Sequence, residues 1–591
     1  MNLAKIVTQA PISLRIPINL KTYLDRLVTY KIGLIGGFVL SFFIASSSAF
    51  ASPLNNHPSA YLAMHAEDPI NWQLWQRAAL NQAKQQNKLI LISSGYFACH
   101  WCHVMQQENY QDPQVAALLN QHFISIKIDR ELSPDLDDHL LTFARRATGQ
   151  AGWPLHVILT PDGYAFSSFV YLPREDLITR LNRVQQLWQT HADAIIRLSQ
   201  ESNQALSFES LSTDQLKQSL LNQLPSQIDE FAGGLNATQK FPNSPLLKAL
   251  LLEKNLDTNI LAWLETTLEA MQSEHLYDHV HHGFFRYTVD PSWQEPHFEK
   301  MLYDNAQLSE IYFLAAEVFK REDFLQTAQN TLLYIETELM SPLTGLAQSS
   351  QSAIDEKSLD GGRYLWTPQQ LKQALNPELY QQVHQAWSLD QAPPLLNYGW
   401  LPKPIDDHQA WLSIQSNLST RPGITDDKQL IGWNGLLLSA YAQAFKNTKK
   451  PRYQRTGHAL AQRLSQLLLL DNAPRAVNNQ GQFSDAAGLE DFAYTLAGLE
   501  DWHAVSQLDL TEPIQQLRTK AIQHFRSQAG WATNQENLLP TQQVQFDYAD
   551  SATPSSTALL RCLKPTKDPV IQVESALPLW RYASYLIQKD C

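Results

Sequence analysis

The sequence predicts a multidomain chain in which an α/β domain is followed by a large all-α domain, and three observations predict it. Two short apolar runs, residues 89–93 and 123–129, are separated by a stretch with helical spacing, the order of a layered α/β unit with parallel pairing. From residue 245 onward, segments with apolar residues three and four apart follow one another with no comparable strand. The length of 591 residues exceeds one ordinary core, since domains of roughly 150 residues would allow two to four.

The first fifty residues are set aside before any fold is argued. Lys5, Arg15, Lys21, Arg26 and Lys31 precede an apolar run over residues 32–45, and Ala49-Phe50-Ala51 has the small-x-small spacing of a signal-peptidase site. Residues 1–51 therefore read as a secretory signal peptide, and the mature protein is expected outside the cytoplasm, in the periplasm. The apolar run is short against the roughly 20 residues of a membrane span, so a membrane role is expected only if the leader stays uncleaved. Cleavage moves the formal charge from −13 to about −17. That acidic balance, with no stripe of Lys and Arg, argues against a nucleic-acid partner.

In the first mature domain, residues 54–200, Leu89-Ile90-Leu91-Ile92-Ser93 has the continuous apolar character of a strand buried on both faces. A turn, Ser94 to Ala98, leads to Cys99-His100-Trp101-Cys102. Val104, Val115, Leu118 and Leu119 fit a helix that Asp112-Pro113 interrupts. Phe123 to Asp129 alternates as a strand does, and residues 155–160 form another before the turn Pro161-Asp162-Gly163. The cysteine pair thus falls at a strand-to-helix junction. Unpaired N–H groups at a helix start favour thiolate over thiol, which makes Cys99 the nucleophile. Cys102, one turn on, is placed to resolve a mixed disulfide.

The stretches Asn71-Trp72, Cys99-His100-Trp101-Cys102-His103-Val104-Met105, Lys127-Ile128-Asp129-Arg130-Glu131 and Gly149-Gln150-Ala151-Gly152-Trp153-Pro154-Leu155 resemble the thioredoxin-like domain at the front of the spermatogenesis-associated protein 20 family. The resemblance implies a thioredoxin-like fold in which Pro154 is the cis-proline facing the cysteines. Three other readings stand beside it. Cys-x-x-Cys-His is also the pattern for covalent haem attachment, but the flanking strand, helix and Gly-Trp-Pro segment favour redox chemistry. Zinc would need His100 or His103 and a fourth ligand motif that is missing nearby. The third reading is a closed, inert disulfide. No cofactor and no metal is expected.

Residues 205–591 carry helical periodicity over 245–255, 259–271, 305–320, 324–339, 433–445, 453–470, 491–506 and 514–528. Gly233-Gly234, Lys240-Phe241-Pro242, Tyr277-Asp278-His279, Gly283-Phe284-Phe285-Arg286-Tyr287, Pro296 to Ala306, Thr425-Asp426-Asp427-Lys428, Trp433-Asn434-Gly435 and Leu489 to Ala493 extend the same resemblance. It implies an (α/α)6 toroid similar to six-hairpin glycosidases. A pocket at one end of such a ring would draw on Asp278, His297, Glu299, Asp304, Asp427 and Asp491, since glycoside chemistry needs two carboxyl groups across the scissile bond. Acids at helix starts also cap N–H groups, which is the structural role open to the same residues. The chain departs from the family at Ala353-Ile354-Asp355-Glu356-Lys357-Ser358, where one expected carboxylate is another side chain. It departs again at Pro554-Ser555-Ser556-Thr557, which suggests an incomplete last hairpin. Cys562 and Cys591 are candidates for a second disulfide.

Two functions follow as expectations. The first is thiol–disulfide exchange through Cys99 and Cys102, with a redox partner protein or a disulfide-bearing client. The second is a toroid that binds or acts on a carbohydrate, with the first domain as a structural part.

Overall fold

The computed structural model describes residues 52–201, 207–396, 399–528, 530–533, 537–541, 546–563 and 570–587. The leader and the side chains of Cys562 and Cys591 lie outside the described residues.

The first domain is a four-stranded sheet in the order β2-β1-β3-β4. β1 (Leu89–Gly95) pairs parallel with β2 (Phe123–Asp129) and antiparallel with β3 (Leu155–Leu159), which pairs with β4 (Ala165–Phe169). β1 and β2 are buried along their whole lengths, because helices cover both faces. The helix His100–Met105 starts directly after Cys99, passes into a π-turn at Gln106–Tyr110, and ends before Asp112. Asp112 caps the next helix, Pro113–His122, with Pro113 in its first turn, where a missing N–H costs nothing. The Trp153–Pro154 peptide bond is cis. This is a thioredoxin-like fold.

The rest of the chain closes a ring of helices. Ser244–Leu252 packs on Leu302–Phe319, which packs on Ile431–Thr448, then Leu489–Val505, then Ser556–Leu560. The 3₁₀ segment Leu579–Leu586 touches both Ser556–Leu560 and Ser244–Leu252 and closes the circle. Return helices Thr258–Ser273, Glu322–Tyr334, Pro451–Leu469 and Thr511–Phe525 run between successive inner ones. The inner helices are buried on every side: residues 302–315 and 431–442 are buried without a break, as a helix apolar all round requires. The outer helix Pro451–Leu469 buries only a stripe through Tyr453, Gly457, Leu460, Leu464 and Leu468. The architecture is a helical toroid whose last inner position is a short helix and a 3₁₀ turn.

One part of the helical domain has no counterpart in the periodicity. Three further helices, Pro368–Ala374, Pro377–Ala386 and His408–Leu418, build a satellite core around Trp366, Leu371, Val383, Trp400, Trp411 and Ile414. They are short, and the first two bury only Leu371 and Val383, too little pattern for a period to register; the third buries Ala410, Trp411, Ile414 and Leu418.

Inner helices meet at glycine. A Cβ on Gly435 would stand 2.6 Å from backbone atoms of Tyr494 and Thr495 in the neighbouring inner helix, and one on Gly498 would stand 2.3 Å from the Gly435 carbonyl oxygen. Gly435→Ala is therefore expected to force the two helices apart and cost about 1–3 kcal/mol in chemical denaturation. Gly152→Ala, whose Cβ would meet nothing within 4 Å, should stay within about 0.5 kcal/mol of the parent.

Candidate functional site

Cys99 and Cys102 are joined as a disulfide. Cys99 caps the helix His100–Met105, its Sγ accepting from the Cys102 N–H at 3.1 Å. Both residues are buried, at 3% and 1% exposure, whereas Trp101 between them is 43% exposed and rests against Tyr171. His103 fixes the turn through its Nε2, 2.7 Å from the Phe97 carbonyl oxygen.

The residues flanking the pair are held by the toroid. Tyr96 donates from its hydroxyl to Glu299 at 2.6 Å and also meets Arg286. The Ala353 N–H donates to the Ala98 carbonyl. The His100 ring lies 6.4 Å from that of His297 and its Nδ1 is 3.7 Å from Asp360. Residues 96, 98 and 100 are thus each held by the helical domain, so the cysteine loop is seated in the ring's mouth.

A buried charge cluster fastens the same mouth. Lys428 Nζ lies 2.7 Å from Asp129, 2.9 Å from Glu131 and 2.9 Å from Asp426, and all four side chains are within 1% of complete burial. Asp129 also accepts from Ser59 Oγ at 2.7 Å. One ammonium faces three carboxyl groups from two domains. Burial pushes the Glu131 carboxyl up to about 7, against the pull of Lys428 and with the push of Asp129 and Asp426. Further contacts run around the rim: His139 to Thr541, Gly163 against Pro540, and Leu539 within the core beneath the sheet.

The residues nominated from the sequence divide into two groups. His297, Glu299 and Asp304 come to the mouth beneath the cysteine loop. His297 Nδ1 is 3.0 Å from Glu299. Burial would raise Glu299, but His297 and Arg286 outweigh it and hold the carboxyl at about 2. Burial raises Asp304 to about 8 despite Arg286 and Arg130. Asp278, Asp427 and Asp491 stand elsewhere. Asp278 accepts from Lys300 at 2.7 Å and from the N–H groups of Val280 and His281, so it pins its own loop. Asp491 accepts from the Gly432 and Gly488 N–H groups and ties two inner helices at their starts. Among the described residues the Asp427 carboxylate accepts only from the Asn479 N–H, at 3.4 Å; its neighbour Asp426 is the one turned inward to Lys428. At the two divergent stretches, Asp355 accepts from the Lys357 and Leu359 N–H groups, and Ser555 caps Ser556–Leu560.

Several groups at the site escaped the sequence reading. Behind the disulfide, Lys127 is buried at 1% exposure, its Nζ 2.9 Å from Ser93 Oγ and 4.6–5.2 Å from the ring centres of Tyr61, Trp72 and Tyr110. Burial lowers its ammonium to about 7. A lysine flanked by isoleucines in the strand Phe123–Asp129 was the available signal. His65 and Trp72 both bond Asp68, at 2.7 and 3.0 Å. Glu490, raised to about 8 by burial, and Asp547, raised to about 7 by burial, are further acids that the residue-type search passed over.

Residues 51–207 match the family described as protein of unknown function, DUF255. The match takes in the whole of the first domain. The chain is 35% identical over 352 residues to spermatogenesis-associated protein 20 of Rattus norvegicus, which is 55% of this chain and 44% of the relative. The match therefore spans less than half of that relative's length. Among solved structures, cellobiose 2-epimerase from Spirochaeta thermophila aligns with 54% of this chain and 73% of its own, at 15% identity and a TM-score of 0.36. A DsbH oxidoreductase aligns with 20% of this chain and 85% of its own, at 18% identity and a TM-score of 0.17.

The charge cluster makes two predictions. Lys428→Met leaves three buried carboxyl groups without their cation and is expected to cost about 3–5 kcal/mol in thermal or denaturant unfolding. The pH dependence has a definite sign. Glu131 is raised from its ordinary 4.5 to about 7 in the folded chain, so the unfolded chain ionises first and this group's stabilising share falls as pH rises between those values. Unfolding temperatures measured from pH 5 to pH 8 should fall less steeply in Glu131→Gln than in the parent.

Proposed function

We propose that the chain is an exported thiol–disulfide exchange protein acting through Cys99 and Cys102, with the toroid as the cover and selector of what reaches them. The observation that carries this reading is the seat of the cysteine loop: a buried disulfide at a helix start whose neighbours Tyr96 and Ala98 are held by the second domain. A client thiolate attacks Cys99 Sγ, the S–S bond breaks, and Cys102 leaves as the thiolate. A second client thiolate then attacks the client sulfur of the mixed disulfide and Cys99 leaves, so two electrons pass from client to pair. The reverse sequence, starting from Cys99 thiolate, reduces a client disulfide. The helix start stabilises the Cys99 thiolate. The leader places this chemistry outside the cytoplasm, where disulfides persist.

A second reading has its own support. In the mouth of the ring Asp304 is held protonated at about 8 and Glu299 ionised at about 2, a split of the kind acid–base catalysis on a sugar uses. In that reading the DUF255 domain roofs a carbohydrate pocket.

Redox titration of the mature protein with thiol trapping and mass spectrometry separates the two. Under the first reading the pair opens as a two-electron couple, Cys99→Ser abolishes exchange, and Cys102→Ser accumulates the mixed disulfide. Full exchange by Cys99→Ser, or a pair that never opens, overturns it. The second reading expects glycan-dependent protection of tryptophan fluorescence that Asp304→Ala loses.

A further inference from the structure

Arg130 follows β2 in the DUF255 domain, and Arg286 comes from the loop before the inner helix Leu302–Phe319. Their guanidinium carbons lie over the same two rings: Arg130 at 4.1 Å from the centre of Trp153 and 4.9 Å from that of Tyr96, Arg286 at 5.2 and 5.3 Å. The two cations repel one another, while Asp137, Tyr303 and Tyr96 favour the Arg130 charge; the difference between the two arginines lies in their hydrogen bonds. Arg286 donates to Glu299 at 3.3 Å, to the Tyr303 hydroxyl at 3.1 Å, and to Tyr96. Arg130 Nη1 is enclosed and has no acceptor among the described residues. Asp304, whose carboxyl feels both Arg286 and Arg130, is 3% exposed, and its Oδ2 is likewise buried without a partner among the described residues.

We propose that Arg130, with Trp153 and Asp304 around it, binds the carboxylate of a small polar molecule held between the two domains. A buried guanidinium N–H without an acceptor is costly, and a carboxylate is the group whose geometry fits its fork. A phosphate dianion suits the site less, because Glu299 adds a fixed negative charge beside Arg286. The indole of Trp153 offers a flat apolar face, and Asp304 in its acid form offers an O–H to a ligand oxygen. This assignment stands whether or not the disulfide exchanges. Two chemical sources carry such a group: a sugar acid, or a small peptide such as a glutathione-type disulfide.

The charged and titratable groups facing Arg130 are Arg286, Glu299 and Tyr303 from the toroid, Asp304 at the start of its inner helix, and Asp137 and Tyr96 from the DUF255 domain. Asp137 is itself raised by burial and is engaged by Ser94 and Trp153. Asp304 is the group that ionises near pH 8, and its charge then opposes an anion.

The test is calorimetric titration of the full chain, cysteines oxidised, with sodium glucuronate, glutathione disulfide and neutral glucose at pH 7 and pH 9. One of the two acids should bind at least about tenfold more tightly than glucose, which is about 1.4 kcal/mol, and the one that does identifies the source. Arg130→Gln should lose that preference and Arg130→Lys, which keeps the charge without the fork, should lose part of it. Binding of the acid should weaken from pH 7 to pH 9, and Asp304→Asn should remove this pH dependence. Neither acid exceeding glucose, or wild-type preference in both Arg130 variants, overturns the assignment. Should Arg130→Gln fail to fold, the pH dependence and its loss in Asp304→Asn decide it.

Discussion

The arrangement of the molecule depends on one buried ammonium. Lys428 sits at the start of an inner helix of the toroid and balances Asp129 and Glu131 at the end of a thioredoxin-like strand, together with Asp426 beside it. In a low-dielectric interior such a set is stable only if its geometry is satisfied and its surplus charge relieved. Burial meets the second need by keeping one carboxyl protonated over much of the pH range. The interaction is directional in a way that apolar packing is not: it joins the end of β2 to the toroid wall at one register. The neighbouring residues Arg130 and, through the parallel pairing with β1, the cysteine loop inherit their positions from it.

That fixed register explains why the cysteine loop and the ring's mouth form one site. Gly95 and Asp129 are register partners at the ends of β1 and β2, so anchoring Asp129 also anchors the strand that delivers Tyr96 and Cys99. Tyr96 then reaches Glu299 and Arg286, and His100 reaches His297 and Asp360. The thioredoxin-like fold presents its cysteines at the end of a strand, and the toroid presents the starts of its inner helices. The two presentations face each other. Acids accumulate there because helix starts favour them, and burial raises several of them together: Asp304, Glu490, Asp547 and Asp360.

Much of this was legible in the residues. Periodicity located every long helix of the ring, because an inner helix apolar all round and an outer helix with one stripe both carry strong patterns. The strand-to-helix junction located Cys99 and Cys102. The domain interface was not legible, although both halves of it stood out as motifs, Lys127 to Glu131 and Thr425 to Lys428. The reason is geometric. Alternate residues of an extended segment face opposite ways, so Asp426 and Lys428 turn inward and Asp427 outward, and spacing alone favours neither parity. Nor does a sequence show that residues 299 positions apart, Asp129 and Lys428, meet across a domain boundary. Asp278 and Asp491 illustrate the converse: acids within strong motifs whose oxygens are consumed by backbone N–H groups of their own loops and helix starts.

The enclosure bears on how any chemistry at Cys99 proceeds. With both cysteines almost wholly buried, a reactant enters the space between the domains or the domains part to admit it. Parting them exposes Lys428 and its carboxylates to water, which relieves the charge surplus but breaks the contacts of Tyr96, Ala98 and His100. Admitting a small molecule breaks none of these and supplies the acceptor that Arg130 lacks. The unmatched guanidinium thus favours occupation over opening. Below their own titration the raised Asp304 and Glu131 carboxyls are neutral, which leaves the buried interface less negative.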